Sequence, residues 1–132
     1  MNNAERNAET VRRGYEAFNS GDMKTLTELF HESASWHTPG QSPIAGDRQG
    51  RDATFAQFGR YAGETGGTFK ATLQRVLTSD DGRVVGIHHN SAERGGKHLD
   101  VACCIVFEFK DGRIIGGREH LYDLYAWDKF WS

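Results

Sequence analysis

The sequence has few cysteines and prolines, and it contains no long apolar run. Its two cysteines, Cys103 and Cys104, are neighbours, and neighbours on a strand point to opposite faces, so a bond between them would be strained. We interpret both as small apolar residues in a reducing compartment. No segment approaches a membrane span, and residues 1–10 are too polar for a secretory signal. The expected location is therefore the cytoplasm, with no membrane partner.

The sequence also lacks an excess of charge of one sign. Its 132 residues include 16 Lys and Arg and 18 Asp and Glu, for a net charge of -2. Because no basic stripe is present to neutralise phosphates, nucleic acid is not an expected partner. The length and the 37% hydrophobic content suit one compact domain over residues 1–132.

Motifs for metals, nucleotides and covalent nucleophiles are missing as well. Six histidines are present, but His88 and His89 are adjacent and point apart on a strand, and the others show no ligand spacing. No glycine-rich phosphate loop lies between a strand and a helix, and no GxSxG motif appears. We therefore predict neither a metal nor a cofactor.

Helical spacing of apolar residues predicts three helices in the first half of the chain. The first covers residues 4–20, Asp22 caps the second, and the third begins at Asp52 or the residue before it. Between the second and third helices, residues 34–38 look extended. Residues 40–50 have the composition of a loop that is long enough to form a lid or pocket rim.

From residue 69 onward the apolar period changes to two, which predicts strands. Asp-Gly and Gly-Gly pairs mark hairpin turns between them, and the predicted strands begin at residue 69 and cover 84–94, 98–110 and 113–122. Helices followed by an antiparallel meander of four strands indicate an α+β domain. A sheet that covers three helices has to curl, so we expect it to enclose a conical cavity.

Three stretches carry a family resemblance: YEAFNSGD at the end of the first helix, SWHTPGQSPIAGDRQGRD before the third, and GGREHLYDLYAWDKFWS at the end. Together they resemble the SnoaL-like group of the nuclear transport factor 2-like superfamily, which includes ketosteroid isomerase relatives and polyketide cyclases. The resemblance covers residues 10–131. It implies a cone-shaped α+β barrel, usually dimeric through the outer sheet face, with a hydrophobic pocket and one or two acid–base residues.

The catalytic pattern of ketosteroid isomerase is only partly present. That enzyme uses an aspartate base with a tyrosine and a protonated aspartate as its oxyanion hole. By resemblance, Tyr15 falls at the tyrosine, Thr38 at the base and Ile105 at the second aspartate. Two of the three parts are absent, so we do not expect steroid isomerisation by that mechanism.

If Ile105 faces the cavity, strand alternation predicts which neighbouring side chains do so too. An apolar cavity with a few polar groups is typical of a small-molecule site. The predicted substrate-binding residues are Trp36, Thr38, Phe55, Phe58, Asn90, Ile105, Phe107 and Leu121.

The predicted catalytic groups are His88, Glu119, Tyr15 and Asp123. His88 or Glu119 would act as base, the carboxylate having a pKa raised by desolvation, and Tyr15 would donate to a developing enolate oxygen. Each also has a structural interpretation. His88 would be a hydrogen-bonded core histidine or a strand-surface histidine, and Tyr15 a helix core residue with its hydroxyl hydrogen-bonded. Glu119 would be a solvated strand residue paired with an arginine, and Asp123 a turn or helix cap.

Two further features concern partners. The strand 98–110 carries Ala102, Cys104 and Val106 on its second face, so both faces need cover, which favours a homodimer formed sheet to sheet. The aromatic tail LYDLYAWDKFWS is expected to pack over the pocket mouth or against a partner subunit.

These observations predict a cofactor-independent enzyme of the isomerase, cyclase or dehydratase type. By resemblance, it would move a proton on a small hydrophobic, polyketide-like carbonyl compound. Hydration or hydrolysis would use the same residues to activate water. The alternative is a non-catalytic ligand-binding or dimerisation module of the same fold.

Overall fold

A computed structural model describes residues 2–132 of the chain. None of the helices in this part is long and apolar enough to cross a membrane. The elements are, in order, α1 (Asn3–Ser20), α2 (Met23–Leu29), β1 (Phe30–Thr38), β2 (Gly46–Gln49), α3 (Arg51–Gly63), β3 (Lys70–Thr78), β4 (Val84–Arg94), β5 (Lys97–Lys110), β6 (Arg113–Leu121) and α4 (Leu124–Trp131).

The six strands form one curved mixed sheet in the order β2-β1-β6-β5-β4-β3. Strands β3 to β6 form the antiparallel meander that the hairpin turns predict. Strand β1 pairs parallel to β6 and antiparallel to β2. The predicted α+β class with helices on a curved sheet is confirmed, but the sheet has six strands and, within residues 2–132, remains open between β2 and β3 instead of closing into a barrel.

The helix boundaries follow the capping signals in the sequence. The side chain of Asp22 accepts a hydrogen bond from the backbone N–H of Thr25 at 3.1 Å and so caps α2. Helix α1 ends at Gly21, whose φ of 70° lies in the left-handed region that glycine adopts without strain. Helix α3 begins at Arg51, the residue before Asp52, as predicted.

The C-terminal tail forms a fourth helix, α4, which the sequence reasoning did not predict. It buries Trp127, Phe130 and Trp131, spaced as one helical face, in the core of its own chain. These three aromatic residues of the tail are therefore covered without a partner subunit, whereas Tyr122 and Tyr125 are exposed. The side chain of Asp123 accepts from the backbone N–H of Ala126 at 3.0 Å, so this residue is an exposed helix cap.

Residues 40–50 were predicted to be a loop, but four of them form the strand β2. Its sequence, GDRQ, alternates between half-buried and exposed positions and contains no apolar residue. An edge strand can form without a fully buried face. The sequence of β2 therefore lacks the alternation of apolar residues that predicts a strand. Pairing with β1, from Ser35 opposite Gln49 to Thr38 opposite Gly46, defines this strand.

Strand β5 alternates as predicted along most of its length, and its inward face forms the centre of the core. Leu99, Val101, Cys103, Ile105 and Phe107 are all buried. Phe109 is only half-buried, because the pairing register with β6 shifts after Glu108.

Gly117 on β6 provides a test of the packing between β1 and β6. It pairs with Trp36, and a Cβ atom at Gly117 would lie 2.2 Å from Cζ3 of the indole ring. The substitution Gly117→Ala should therefore overpack the core and lower the free energy of unfolding by about 1–3 kcal/mol. Chemical denaturation measures this change.

The neighbouring glycine provides the matched control. A Cβ at Gly116 would meet the Ser35 hydroxyl at 3.6 Å, an ordinary contact. Gly116→Ala should leave stability nearly unchanged. Equal losses in the two variants would contradict the packing assigned to Trp36.

Candidate functional site

A small cavity of about 50 Å³ lies between the concave face of the sheet and the helices. Its wall is apolar and strongly aromatic. The residues that line it are Val11, Gly14, Tyr15, Phe18, Leu26, Phe30, Trp36, Phe58, Tyr61, Phe69, Ala71, His88, Asn90, Ile105, Phe107, Ile114 and Glu119.

Glu119 is buried in this wall, with an exposed fraction of 3%. Its Oε2 atom accepts hydrogen bonds from Trp36 Nε1 at 2.8 Å, from the Thr38 hydroxyl at 2.8 Å and from the Tyr61 hydroxyl. Glu119 lines the cavity, and its Oε1 atom accepts no hydrogen bond from residues 2–132. The carboxyl group is therefore held through one of its two oxygens.

The pKa of Glu119 is set by two opposing effects. Burial raises it by disfavouring the charged form, and the hydrogen bonds from Tyr61, Trp36 and Thr38 lower it. Burial has the larger effect, so the pKa lies above its ordinary value of 4.5. Such a carboxyl group exchanges protons closer to neutrality than an exposed one does.

Two side chains of α3, Gln57 and Tyr61, belong to the hydrogen-bond network around Glu119. Gln57 Nε2 donates to the backbone carbonyl of Ile44 at 2.8 Å and to the Thr38 hydroxyl at 3.1 Å. Because Thr38 accepts from Gln57, its own proton is directed to Glu119. Tyr61 lies one turn after Gln57 on the same buried face of α3.

A second polar chain runs along β4. The Tyr15 hydroxyl lies 2.6 Å from His88 Nδ1, and His88 Nε2 lies 2.8 Å from Asn90 Oδ1. Burial lowers the pKa of His88 to about 4 and raises that of Tyr15 well above its ordinary value. Both groups are therefore neutral at pH 7, and both ring nitrogens of His88 are engaged.

The structure brings most of the predicted site residues to the cavity. Those that line it are Tyr15, Trp36, Phe58, His88, Asn90, Ile105, Phe107 and Glu119. Thr38 lies behind Glu119 as its hydrogen-bond donor. Glu119 has no arginine partner but a set of neutral donors, so the solvated interpretation of this residue is wrong.

Besides Thr38, three predicted residues do not line the cavity. Asp123 caps α4 in solvent. Phe55 packs edge-on against Phe30, with ring centroids 5.5 Å apart, and stacks on Phe58 behind the wall. Leu121 is half-buried at the end of β6, past Glu119.

Gln57 and Tyr61 were missed by the sequence reasoning. The apolar residues of α3 predict an inner face with Phe55 and Phe58, whereas the buried face contains Thr54, Gln57, Phe58 and Tyr61. The spacing 54-57-58-61 is itself helical and was available as a signal. It was overlooked because two of its members are polar.

The arrangement suits proton transfer at one carboxylate in an apolar space. Within residues 2–132, no group of three His, Cys, Asp or Glu side chains is placed to hold a metal ion. The side chains at hand are a carboxyl group with one open oxygen and a neutral Tyr-His-Asn chain.

The raised pKa of Glu119 predicts how stability depends on pH. The folded state binds this proton more tightly than the unfolded chain, so the contribution is complete below about pH 4.5 and is lost as pH rises through the folded pKa. We expect Glu119→Gln to gain free energy of unfolding relative to the original chain as pH rises from about 4 to 8. Urea denaturation across this range measures the difference.

Asp81→Asn serves as a control, because its effect on the free energy of unfolding should change with pH in the opposite direction. The Ser79 hydroxyl lowers the pKa of Asp81 from 3.8, so its contribution is present above that value and is lost as pH falls through the folded pKa. A pH-independent difference for Glu119→Gln would contradict the burial assigned to the carboxyl group.

The comparisons with known proteins agree on a family. Residues 11–116 match the family model described as a SnoaL-like domain. An uncharacterized protein of Mycobacterium tuberculosis, Rv0034, is 35% identical over 122 residues, which are 92% of this chain and 93% of that protein.

Solved structures show the same fold. Bal32a, from a soil-derived mobile gene cassette, is 79% identical, with a TM-score of 0.98 over 99% of this chain and 100% of that one. A protein of Sinorhizobium meliloti described as a candidate polyketide cyclase is 20% identical, with a TM-score of 0.71 over 85% of this chain and 94% of that one. An NTF2-like protein of Burkholderia pseudomallei, 20% identical, has a TM-score of 0.83 over 100% of this chain and 99% of that one. The chain therefore belongs to the SnoaL-like family and has the nuclear transport factor 2-like fold.

Proposed function

We propose that this chain is a cofactor-independent enzyme that moves a proton on a small hydrophobic carbonyl compound, with Glu119 as the base. The observation that carries the proposal is the open Oε1 atom of a buried carboxyl group whose Oε2 atom is held by three donors. A fixed carboxylate in an apolar cavity is a strong base for a bound C–H group, because no water competes for it. The neighbour described as a candidate polyketide cyclase is consistent with a carbonyl substrate.

Glu119 is a better base than His88, the other predicted candidate. His88 Nδ1 lies 2.6 Å from the Tyr15 hydroxyl and Nε2 lies 2.8 Å from Asn90 Oδ1, so both nitrogens are hydrogen-bonded within the chain and neither is free for a substrate. Burial also lowers the pKa of His88 to about 4, which weakens it as a base at pH 7. We therefore assign His88 and Tyr15 to positioning within the cavity wall.

The proton transfer follows from this geometry. Oε1 of the Glu119 carboxylate takes a proton from the carbon next to the carbonyl group, and the electron pair of that C–H bond forms an enolate. The neutral Glu119 then returns the proton to a second carbon in an isomerisation, or to a departing hydroxyl group in a dehydration. The same carboxylate can take a proton from water in a hydration.

Acetone in D₂O tests the proton abstraction without knowledge of the natural substrate, because a three-carbon ketone is nearer to the size of a cavity of about 50 Å³ than a ring compound is. We expect the protein to accelerate deuterium exchange next to the carbonyl group, and Glu119→Gln to reduce the acceleration at least about 100-fold. The rate should rise with pH through the raised pKa of Glu119, because only the carboxylate accepts a proton. Proton NMR follows the exchange.

Glu108→Gln is the matched control, since it removes an exposed carboxylate of β5 and should leave the exchange rate unchanged. Binding of acetone without accelerated exchange would contradict the enzymatic proposal and support the ligand-binding alternative.

We also propose that two copies of the chain associate through the outer face of the sheet. Half-buried apolar side chains form a stripe across β4 and β5 at Val85, Ile87, Ala102, Cys104 and Val106. Exposed Asp100 and Arg118 lie at opposite ends of this stripe, because Arg118 pairs with Val106. A twofold axis through the middle of the stripe would bring each Asp100 close to the Arg118 of the second copy.

Val106→Glu tests this association. A carboxylate in the stripe should convert a dimer to a monomer, because the interface would bury an unpaired charge. Light scattering coupled to size-exclusion chromatography gives the mass. Thr78→Glu adds the same charge on the edge strand β3 and should leave the dimer intact, whereas a monomeric mass for the original chain would refute the proposal.

A further inference from the structure

The segment between β1 and β2, residues 39–45, is neither helix nor strand and is held against α4. Asp128 on α4 accepts from the backbone N–H of Gln41 with both carboxylate oxygens, each at 3.1 Å. Gly40 has a φ of 102°, and a Cβ atom there would lie 2.1 Å from Asp128 Oδ1. We call this segment the β1–β2 segment. It fits closely on α4, and glycine at position 40 allows the approach.

Gln57 connects the β1–β2 segment to a proton donor of Glu119. Gln57 is 1% exposed. Its Nε2 atom donates to the Ile44 carbonyl at 2.8 Å and to the Thr38 hydroxyl at 3.1 Å. Thr38 in turn donates to Glu119 Oε2 at 2.8 Å. A chain of three hydrogen bonds therefore runs from the backbone of the segment to the buried carboxyl group.

The Ile44 carbonyl sets the direction of this chain. A backbone carbonyl can only accept, so Gln57 must present its Nε2 group to Ile44. The second proton of that group goes to the Thr38 oxygen, which leaves the Thr38 proton for the carboxylate. In this orientation Gln57 Oε1 has no hydrogen-bond partner among residues 2–132. The orientation is therefore imposed by the segment and leaves the oxygen of Gln57 itself unpaired.

The opposite orientation of the Gln57 amide depends on where the segment lies. With the segment in place, a turned amide would set Oε1 against the Ile44 carbonyl oxygen, and two acceptors in contact repel each other. With the segment displaced, this repulsion is absent. Oε1 can then accept the Thr38 proton, which satisfies the oxygen that is otherwise unpaired. The position of the segment thus selects the orientation of the amide.

We propose that Gln57 is a positioning residue through which the seating of the β1–β2 segment on α4 decides whether Thr38 donates to Glu119. With the segment seated, the carboxylate keeps all three donors. With the segment displaced, the Thr38 proton turns to Gln57, and the carboxylate loses one donor and becomes less stable. The inference deepens the proposed function, on which its catalytic meaning rests, by naming how the base is regulated.

Other titratable side chains lie near Glu119 or line the same cavity. They are Tyr15 of α1, His37 of β1, Tyr61 of α3, His88 of β4 and Cys103 of β5. Burial raises the pKa of both tyrosines and of the cysteine and lowers that of His88 to about 4. These four groups are therefore neutral from about pH 5 to 9. The variants below all retain His37, so its charge acts equally in each comparison.

A ¹³C NMR titration of the Glu119 carboxyl group tests the coupling. Asp128→Ala removes the acceptor for Gln41 and should raise the titration midpoint of Glu119 by roughly half a pH unit. Loss of a negative charge alone would lower the midpoint, so the direction identifies the cause. Gly40→Ala keeps that charge, forces the segment away from α4 and should also raise the midpoint. A midpoint that stays or falls in either folded variant would overturn the proposal.

A double-variant cycle tests whether the effect passes through Gln57. Gln57→Met keeps the length of the side chain and removes the amide, so it should raise the midpoint by about one pH unit. Adding Asp128→Ala to Gln57→Met should cause no further rise, because the connection to the segment is already broken. Additive shifts would contradict a route through Gln57.

Asp123→Ala is the matched control. It removes another carboxylate of α4, the one that accepts from the backbone N–H of Ala126. It should weaken the helix and leave the side-chain amide signals of Gln57 and the midpoint of Glu119 unchanged. A rise equal to that of Asp128→Ala would show that a loosened α4 is sufficient and would contradict the coupling.

Acetone exchange separates this inference from the proposed function. In Gln57→Met, the pH of half-maximal exchange should rise together with the titration midpoint. A coupled titration without acetone exchange in the unmodified protein would refute the proposed function alone. Exchange with a titration that ignores Asp128→Ala and Gly40→Ala would refute this inference alone.

Discussion

A carboxyl group buried in an aromatic wall is the constraint around which this fold is organised. Moving the charge of Glu119 out of water is unfavourable, and three neutral donors from β1 and α3 offset that cost at a single oxygen. Gln57 in turn orients Thr38 through its amide. The packing of α3 against β1 is therefore tied to the ionisation of one side chain, whose second oxygen accepts no hydrogen bond from residues 2–132.

The glycines of the sheet make room for the side chains of this wall. A Cβ at Gly86 would lie 2.7 Å from the Tyr15 hydroxyl, and one at Gly117 would lie 2.2 Å from the Trp36 ring. Both aromatic rings thus lie directly on the backbone of the sheet. From there Tyr15 reaches His88 and Trp36 reaches Glu119. Glycine is needed at these positions for close approach, not for backbone conformation.

The strand part of the site could be predicted because β4, β5 and β6 follow a strict period of two. Once Ile105 faces inward, the alternation places His88, Asn90 and Glu119 on the same side, and the structure has them there. The helix part could not be predicted as well. Choosing the apolar Phe55 favoured the wrong face of α3, because the buried face includes polar Gln57, whose amide is paired with groups from distant segments.

The sequence by itself determined the α+β class, the meander, the helix caps and the inward face of the long strands, since each of these depends on neighbours within a few residues. Tertiary structure alone decided that β2 joins the sheet, that α4 folds onto its own core and that Asp123 caps α4 outside the cavity wall. It also decided which oxygen of Glu119 is free and which way the Gln57 amide points. These last properties depend on hydrogen bonds between residues as far apart in the chain as Trp36 and Glu119 or Thr38 and Gln57, and such distances are fixed only when the sheet has curled around the helices.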